Sequence, residues 1–218
     1  MSTEAATEKK RTGRAYAGQS LAERRDIRRR ALIDAGIRVY GSDGFRAATV
    51  KLVCREAGLT ERYFYESFAN NEALFAAIYK QLVNEIEQAQ THAMAAVDDD
   101  PVAMSRAGLT VFFERMRNPH VARILLIEIF GISSDIDRMY RSATFGFARL
   151  LQERLARLFT LDDLGAVDPR VLATGLIGST IHIAMYWALS DYRDSLETVV
   201  ESSLALYSAL ALSLDSSG

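Results

Sequence analysis

The protein has 218 residues, of which 49% are hydrophobic and 25% charged, and its formal net charge is −2. This length accommodates one domain or two small ones, and the hydrophobic fraction excludes a disordered or fibrous chain. The single cysteine excludes a disulfide framework and a cysteine-based metal cluster. No unbroken apolar run approaches the roughly 20 residues of a membrane span, and the polar N-terminal segment predicts no signal peptide. We therefore expect a cytoplasmic protein.

The charge is divided unevenly along the chain. Residues 1–65 contain 14 lysines and arginines against 8 acidic residues, a net charge of +6, so the remainder has a net charge of −8. This division predicts a basic module that meets an anionic partner, joined to a body with another role. The alternative is a solvated tail and a solvated helix face.

The elements predicted along the chain are all helices. Apolar residues recur at spacings of three and four, without a convincing run of strict alternation. Three Asp-Pro or Asn-Pro pairs, at residues 100–101, 118–119 and 168–169, place a capping residue before a proline suited to the first helical turn. The predicted helices cover residues 21–40, 49–57, 60–67, 70–97, 101–117, 119–131, 134–159, 169–190 and 195–214.

Residues 49–68 have the pattern of a helix-turn-helix. Two short helices flank Ala57-Gly58-Leu59, with Thr49 and Thr60 as their predicted N-caps. The second helix of such a unit can enter the DNA major groove. The helix before this unit is predicted to bury a stripe of Ile27, Ala31, Ala35 and Val39, and the side chains predicted to face outward on the second short helix are Glu61, Arg62, Tyr63, Tyr65 and Glu66.

Residues 27–79 resemble the N-terminal DNA-binding domain of TetR/AcrR-type transcriptional regulators. The resemblance rests on the order and spacing of several short motifs. These are Tyr40-Gly41, Gly44-Phe45, Thr49, Ala57-Gly58-Leu59-Thr60, Tyr65 with Phe68, and Glu72 with Leu74.

The resemblance implies double-stranded DNA as a partner. It implies phosphate contacts for Thr49, Thr60 and Tyr65, and base contacts for Arg62 and Tyr63. The family usually has lysine where this chain has Asn71, whose amide can donate a hydrogen bond without adding charge. We also include Arg46, and residues 1–20 as a flexible basic arm whose Lys9, Lys10, Arg11 and Arg14 either contact DNA or are only solvated.

The remaining helices are predicted to enclose an apolar ligand cavity and to form a dimer. Small residues on the last two predicted helices favour close packing with a second copy of the chain. Most apolar side chains here are expected to be ordinary core, and a buried histidine is as compatible with a satisfied core position as with a ligand contact. The candidate ligand-binding residues are Phe112, Met116, Glu128, Phe130, Phe147, His182 and Tyr186.

No catalytic motif, metal-ligand pattern or cofactor motif stands out, so we expect no enzyme activity, metal or cofactor. We predict an all-α protein with a helix-turn-helix domain at residues 21–70 and a ligand-binding and dimerisation domain at 71–218, of which 71–97 form a connecting helix. The predicted function is a homodimeric repressor that a small apolar molecule releases from a pseudo-palindromic operator. The alternative is a helical ligand-binding or scaffold protein without specific DNA binding.

Overall fold

A computed structural model describes residues 20–158 and 167–215, and within these ranges the chain forms helices without a strand. The predicted all-α class is confirmed. The predicted arm at residues 1–20 lies outside the described residues except for Ser20. The helices are α1 (Leu21–Asp43), α2 (Val50–Ala57), α3 (Glu61–Tyr65), α4 (Asn71–Ala95), α5 (Pro101–Met116), α6 (Pro119–Ala122), α7 (Ser134–Leu158), α8 (Pro169–Leu189) and α9 (Leu196–Asp215).

Side-chain caps begin several of these helices. Asp100, Asn118 and Asp168 each accept hydrogen bonds from backbone N–H groups of the first turn, and each precedes a proline. The N–H groups of Val171 and Arg170 lower the pKa of the Asp168 carboxyl, because they stabilise its charged form. The three helix starts predicted from these residue pairs are therefore confirmed.

The structure corrects two predictions of local structure. The single helix predicted over residues 119–131 is α6 followed by a π-helical turn, Arg123–Ile127, in which the Glu128 N–H donates to the Arg123 carbonyl oxygen at 2.8 Å. Gly131 then adopts a φ of +74° and ends the segment. The predicted buried stripe on α1 was wrong at Ile27, which is 42% exposed, because it lies in the first part of the helix, where residues 21–30 are exposed apart from the half-buried Arg28.

Helices α1, α2 and α3 form a small unit that we call the head. Its centre is an aromatic cluster in which the rings of Tyr40, Phe45 and Phe75 lie 5.3–5.8 Å apart, with Phe75 contributed by α4. Phe64 of α3 is fully buried. Because α4 supplies part of this core, the head continues directly into the rest of the molecule.

Helices α4 to α9 form a larger unit that we call the body. Helix α5 packs between α4 and α9, and α7 packs against α8. Among the described helices, α8 alone is long and apolar enough to cross a membrane by length and composition, with a mean hydropathy of 1.3. Its buried face belongs to the helical bundle, and its other face is exposed. The core helix of a soluble protein can pass the same test, so one such helix is only weak evidence for a membrane span.

Candidate nucleic-acid interface and effector cavity

The turn between α2 and α3 fixes the position of α3. The Thr49 hydroxyl oxygen accepts the Leu52 N–H at 3.2 Å and caps α2. At the other end, Gly58 adopts the left-handed conformation with φ +65°, and the Leu59 N–H donates to the Cys54 carbonyl oxygen. Thr60 occupies the N-cap position of α3, but its hydroxyl makes no capping hydrogen bond, so the predicted side-chain cap is corrected.

Helix α3 presents polar groups on the side opposite Phe64. The Arg62 side chain is 85% exposed, and Tyr65 is 57% exposed with its ring edge against Phe64. Tyr63 is half-buried, and the Arg28 guanidinium lies over its ring at 4.4 Å from the centroid. The structure thus brings Arg62, Tyr63 and Tyr65 together on one short helix, as the sequence predicts.

Glu66 joins the end of α3 to arginines of α1 and α3. Its carboxylate lies 3.3 Å from Arg62 Nε and 3.5 Å from Arg28 Nη2. Its backbone carbonyl oxygen accepts a hydrogen bond from Arg25 Nη2 at 2.7 Å. Sequence reasoning placed Glu66 on the outward face but gave it no role, although its spacing of four residues from Arg62 is a recognisable signal for an ion pair.

The Asn71 side chain has partners inside the protein. Its Oδ1 accepts the Tyr40 hydroxyl at 2.6 Å, and its Nδ2 donates to the Ala48 carbonyl oxygen at 2.9 Å. This bridge ties α4 to α1 and to the residue before Thr49. We therefore correct the expectation of a side-chain contact with phosphate, because the amide already serves to position the head.

The head and body meet at the segment of residues 120–133, which we call the docking segment. Gly41 lies so close to His120 that a Cβ atom there would be 2.3 Å from the His120 Cβ. Arg123 donates to the Ser42 carbonyl oxygen. The docking segment therefore contacts the C-terminal end of α1 through packing at His120 and through a hydrogen bond from Arg123 of the π-helical turn.

Glu128 belongs to this junction and not to a ligand site. One carboxylate oxygen accepts from Arg123 Nε at 2.9 Å, and the other accepts the Phe45 N–H at 2.9 Å. Farther along, the Ser133 hydroxyl donates to Glu72 of α4 at 2.6 Å. Arg46 is exposed on the head close to Gly131. The predicted ligand-binding role of Glu128 is thus corrected, because its carboxylate is already bound to the head.

The body contains an apolar cavity between α4, α5, α7, α8, α9 and the docking segment. Its polar groups include the Thr180 and Tyr207 hydroxyls, which are 3.1 Å apart. Burial raises the pKa of Tyr207, so its hydroxyl stays protonated and available as a donor or acceptor. The lining comprises Tyr79, Val83, Ile86, Gln90, Leu109, Phe112, Leu125, Leu126, Tyr140, Ala143, Thr144, Phe147, Ile177, Thr180, Ile181 and Tyr207.

Only Phe112 and Phe147 of the predicted ligand-binding residues line this cavity. Met116 is fully buried in the core elsewhere, and Phe130 is 51% exposed with its ring against Tyr140. The other two predicted residues, His182 and Tyr186, are exposed on the outer face of α8. The prediction that these two residues share one face of the helix is correct, but that face points away from the cavity.

Two clefts whose lining includes several polar side chains adjoin the cavity. A groove between α4 and α7 shares Val83, Ala143 and Phe147 with it and adds polar side chains, among them Lys80 and Asn84. A second cleft shares Gln90, Leu109, Phe147, Ile177 and Tyr207, and includes Arg154 with Glu87. The apolar chamber therefore continues into hydrogen-bonding surfaces.

The described residues contain no group of three His, Cys, Asp or Glu side chains that could hold a metal ion. Cys54 is buried, and its pKa is raised by desolvation and by the nearby Glu61 carboxylate. A thiol with a raised pKa is a poor nucleophile at neutral pH, which favours a packing role.

Sequence and structure comparisons agree with this arrangement. Residues 32–78 match the family described as bacterial regulatory proteins, tetR family, and residues 102–210 match the family described as tetracyclin repressor-like, C-terminal domain. A curated relative, the HTH-type transcriptional activator FasR of Mycolicibacterium smegmatis, is 22% identical over 178 residues, which cover 81% of this chain and 80% of FasR.

Solved structures share the fold. The regulator FadR of Bacillus subtilis, in complex with stearoyl-CoA, superposes with a TM-score of 0.72 and 16% identity, covering 81% of this chain and 96% of FadR. AibR, in complex with isovaleryl coenzyme A and operator DNA, gives a TM-score of 0.65 and 17% identity, covering 82% and 97% of the two chains. Because family models match both its N-terminal helix-turn-helix domain and its C-terminal helical domain, the chain belongs to the TetR family of bacterial transcriptional regulators.

Proposed function

We propose that this protein is a homodimeric repressor that binds a pseudo-palindromic operator through α3 and releases it when an apolar or amphiphilic effector enters the body. The observation that carries the proposal is the docking segment. Its π-helical turn contacts the head through Arg123, while Leu125 and Leu126 of the same turn line the cavity. One short segment thus lines the candidate effector cavity and contacts the candidate DNA-binding unit.

The proposed DNA contacts come from the exposed side of the head. Arg62 can donate two hydrogen bonds to guanine, and Tyr63 can contact a thymine methyl group. Thr49, Tyr65 and Arg46 are proposed to contact the backbone, which fixes the orientation of α3. Thr60 stays in this group because it is exposed and its hydroxyl is not used as a cap. These contacts need only the head, so the proposal assigns residues 21–70 to DNA binding.

The proposed effector carries a short apolar chain and a polar group. The cavity volume is about 110 Å³, and a cavity of roughly 150 Å³ in an engineered core holds benzene. A short or branched acyl group therefore fits without rearrangement, whereas a long chain needs α7 to move. The polar part would lie in the α4–α7 groove near Lys80 and Asn84. The two acyl-CoA complexes among the similar structures favour an acyl thioester over a pure hydrocarbon.

The proposed switch is a displacement of the docking segment. An effector that presses on Leu125 and Leu126 shifts the π-helical turn, and the turn transmits this shift to α1 through Arg123 and Glu128. A nearly complete change of state requires the effector to favour the non-binding state by about 5.5 kcal/mol. Because the two heads of a dimer must match two half-sites, a small rotation of each head suffices to break the match.

The proposed dimer forms through the outer faces of α8 and α9. On α8, Val171, Tyr186 and Leu189 are large, apolar or aromatic and exposed. A Cβ atom placed on Gly175 or Gly178 would have no neighbour within 4 Å, so this face can accept a closely packed helix. Only 28% of the apolar window in α8 is buried within one copy of the chain. A second copy would cover the rest, and His182 then lies at the interface.

Repression is proposed from the resemblance to TetR-type regulators, among which repressors are the most common kind. The named relative FasR is an activator, so a transcription assay with and without effector decides the sign. The same assembly fits the cytoplasm, where operator DNA and acyl thioesters are both present.

The decisive test is selection of bound sequences from a random duplex pool by the full-length protein without effector. We expect a pseudo-palindrome whose binding weakens steeply with salt. Arg62→Ala should reduce affinity for it by about 10-fold to 100-fold. Arg149→Ala is the matched control, because Arg149 is also an exposed arginine paired with a glutamate four residues on. Selection of no sequence would contradict the proposal and favour the scaffold alternative.

Tyr65→Phe tests the backbone contact separately. It removes only the hydroxyl, so we expect a loss of about threefold to tenfold in affinity that is similar for all DNA sequences. Tyr192→Phe is the control, since the Tyr192 hydroxyl donates to the Met116 carbonyl oxygen within the body, away from α3 and from the proposed dimer face. Equal effects of the two variants would remove Tyr65 from the proposed interface.

A further inference from the structure

We propose that Glu66 is a specificity-determining residue, which makes Arg62 available to a base more readily than to a phosphate. This inference rests on the proposed function, because it concerns how the head distinguishes an operator from other DNA. It does not require Glu66 itself to touch DNA. The starting observation is that the Glu66 carboxylate lies between two arginines of the head.

The geometry gives Glu66 two arginine partners and a fixed position. Its carboxylate lies between Arg62 of α3 and Arg28 of α1, at 3.3 Å and 3.5 Å. Arg28 is itself held over the Tyr63 ring, and Arg25 donates to the Glu66 carbonyl oxygen. The carboxylate therefore sits on an anchored backbone, whereas the Arg62 side chain is exposed and can move.

Arg62 must leave Glu66 to contact DNA, and a guanine replaces the lost ion pair better than a phosphate does. A guanine offers Arg62 two acceptors in a fixed plane, which match the guanidinium fork. A phosphate outside the operator offers an acceptor that Arg62 already has in Glu66, and the carboxylate repels that phosphate. The two hydrogen bonds to guanine therefore compensate for the lost Arg62–Glu66 ion pair, whereas a contact with a phosphate elsewhere compensates for it only poorly.

The consequence is a penalty that falls mostly on nonspecific DNA. Nonspecific binding consists almost entirely of phosphate contacts, each of which steepens the dependence of log affinity on log salt by about 0.9. An arginine kept on Glu66 removes one such contact. Specificity is a difference of affinities, and a group that disfavours the wrong partner raises it even when it lowers total binding.

The test is Glu66→Gln, which keeps the size and hydrogen-bonding ability of the side chain and removes its charge. The probes are the sequence selected by the wild-type protein and a shuffled duplex of equal length. We expect affinity for the shuffled duplex to rise on the order of fivefold, with a salt dependence steeper by about one. Affinity for the selected sequence should change by less than about twofold, so the ratio of the two affinities falls.

The matched control is Glu56→Gln. Glu56 also lies in the head, is exposed to a similar degree, and pairs with Arg38 of α1 at 2.5 Å, so this variant makes the same change in net charge. If both variants raise shuffled-duplex affinity equally, only net charge matters and the proposal is overturned. An unchanged affinity ratio in Glu66→Gln overturns it as well.

A double-mutant cycle shows whether Glu66 acts through Arg62. In an Arg62→Ala background, Glu66→Gln should raise shuffled-duplex affinity no more than Glu56→Gln does. A full effect in that background would assign the role to Arg28 and overturn the proposal. Thermal midpoints of all variants identify any that fail to fold, and Glu66→Asp then replaces Glu66→Gln, with the ion pair lengthened and an intermediate affinity ratio expected.

Failure of this inference differs from failure of the proposed function. If the wild-type protein selects no sequence, the proposed function is wrong and the inference falls with it. If the wild-type protein selects a sequence and Glu66→Gln leaves the affinity ratio unchanged, the inference alone is wrong.

Discussion

The head and the body use apolar side chains in different ways. In the head, the rings of Tyr40, Phe45 and Phe75 pack against one another, and the exposed side chains of α3 carry polar groups. The body retains a cavity and two adjoining clefts among its helices. Unfilled space costs stability, which ligand binding can recover. The comparison indicates a preformed DNA-contacting unit attached to a unit whose packing a ligand can complete.

We expect the largest effect from a change that separates the two subunits, because the body is proposed to set the distance between the two heads. Leu189→Glu places a charge on the exposed apolar face of α8. We expect the variant to be monomeric and to lose on the order of 100-fold or more in operator affinity, because two linked heads gain at least that much over one. Sedimentation and DNA binding measure the two effects.

Val102→Glu is the control for Leu189→Glu, since Val102 is also an exposed apolar residue but lies at the start of α5. It should leave the protein dimeric. A Leu189→Glu protein that stays dimeric would place the subunit interface elsewhere.

The contact between head and body is tested by Gly41→Ala. A Cβ atom at this position would lie 2.5 Å from the His120 Cα, so backbone must move to accept it. We expect the free energy of unfolding to fall by about 3 kcal/mol, measured by chemical denaturation. Gly146→Ala, which has no neighbour within 4 Å of its Cβ position, should be neutral or stabilising by up to about 1 kcal/mol.

A side chain that fills the cavity should abolish the stabilisation of the body by a ligand. Ala143→Phe projects a ring into the apolar chamber. A short acyl thioester at 100 times its dissociation constant should stabilise the wild-type protein by about 2.7 kcal/mol and the variant by almost nothing. Ala95→Phe, at an exposed position near the end of α4, should keep the full ligand response. Thermal shift measures both, and an unchanged response in Ala143→Phe would exclude this chamber as the effector site.

The two units also differ in how far the sequence could predict them. In the head, Thr49 and the left-handed Gly58 fix how α2 and α3 meet, so the periodicity correctly separates buried Phe64 from exposed Tyr65. Asn71 was misjudged because its partners, the Tyr40 hydroxyl and the Ala48 carbonyl oxygen, become neighbours only after folding.

In the body, the sequence predicts the helices but not which residues line the cavity. Helix α8 is apolar on the face that packs inward and on the face that is exposed, so periodicity could not assign His182 to the outer side. Glu128 was misjudged because the bonds that hold it, to Arg123 and to the Phe45 N–H, depend on the π-helical turn. A π-helical turn follows from tertiary packing and leaves no signal in the helical period.

The bond between the two units is tested more gently by Glu128→Gln. The half-buried carboxylate pairs with Arg123, which is more exposed, so we expect a loss of only about 1 kcal/mol in the free energy of unfolding. The coupling between effector and DNA should fall by a similar amount, because the turn then contacts α1 less firmly. Glu85→Gln removes the exposed Glu85–Arg115 pair within the body and should leave the coupling unchanged.

The smallest expected effect concerns the fixed centre of the head at alkaline pH. Burial raises the pKa of Tyr40 well above the ordinary value near 10. Its stabilising contribution is therefore complete below pH 10 and declines as pH rises above 10, where the unfolded chain ionises and the folded chain does not.

At pH 8, Tyr40→Phe should cost about 1 kcal/mol through loss of the hydroxyl bond to Asn71. This difference should shrink by on the order of 1 kcal/mol by about pH 10.5 and so largely disappear, since the phenylalanine variant lacks the ionisation. A Tyr40→Phe deficit that stays constant with pH would show that water reaches this hydroxyl, and the head would then be less fixed than its packing indicates.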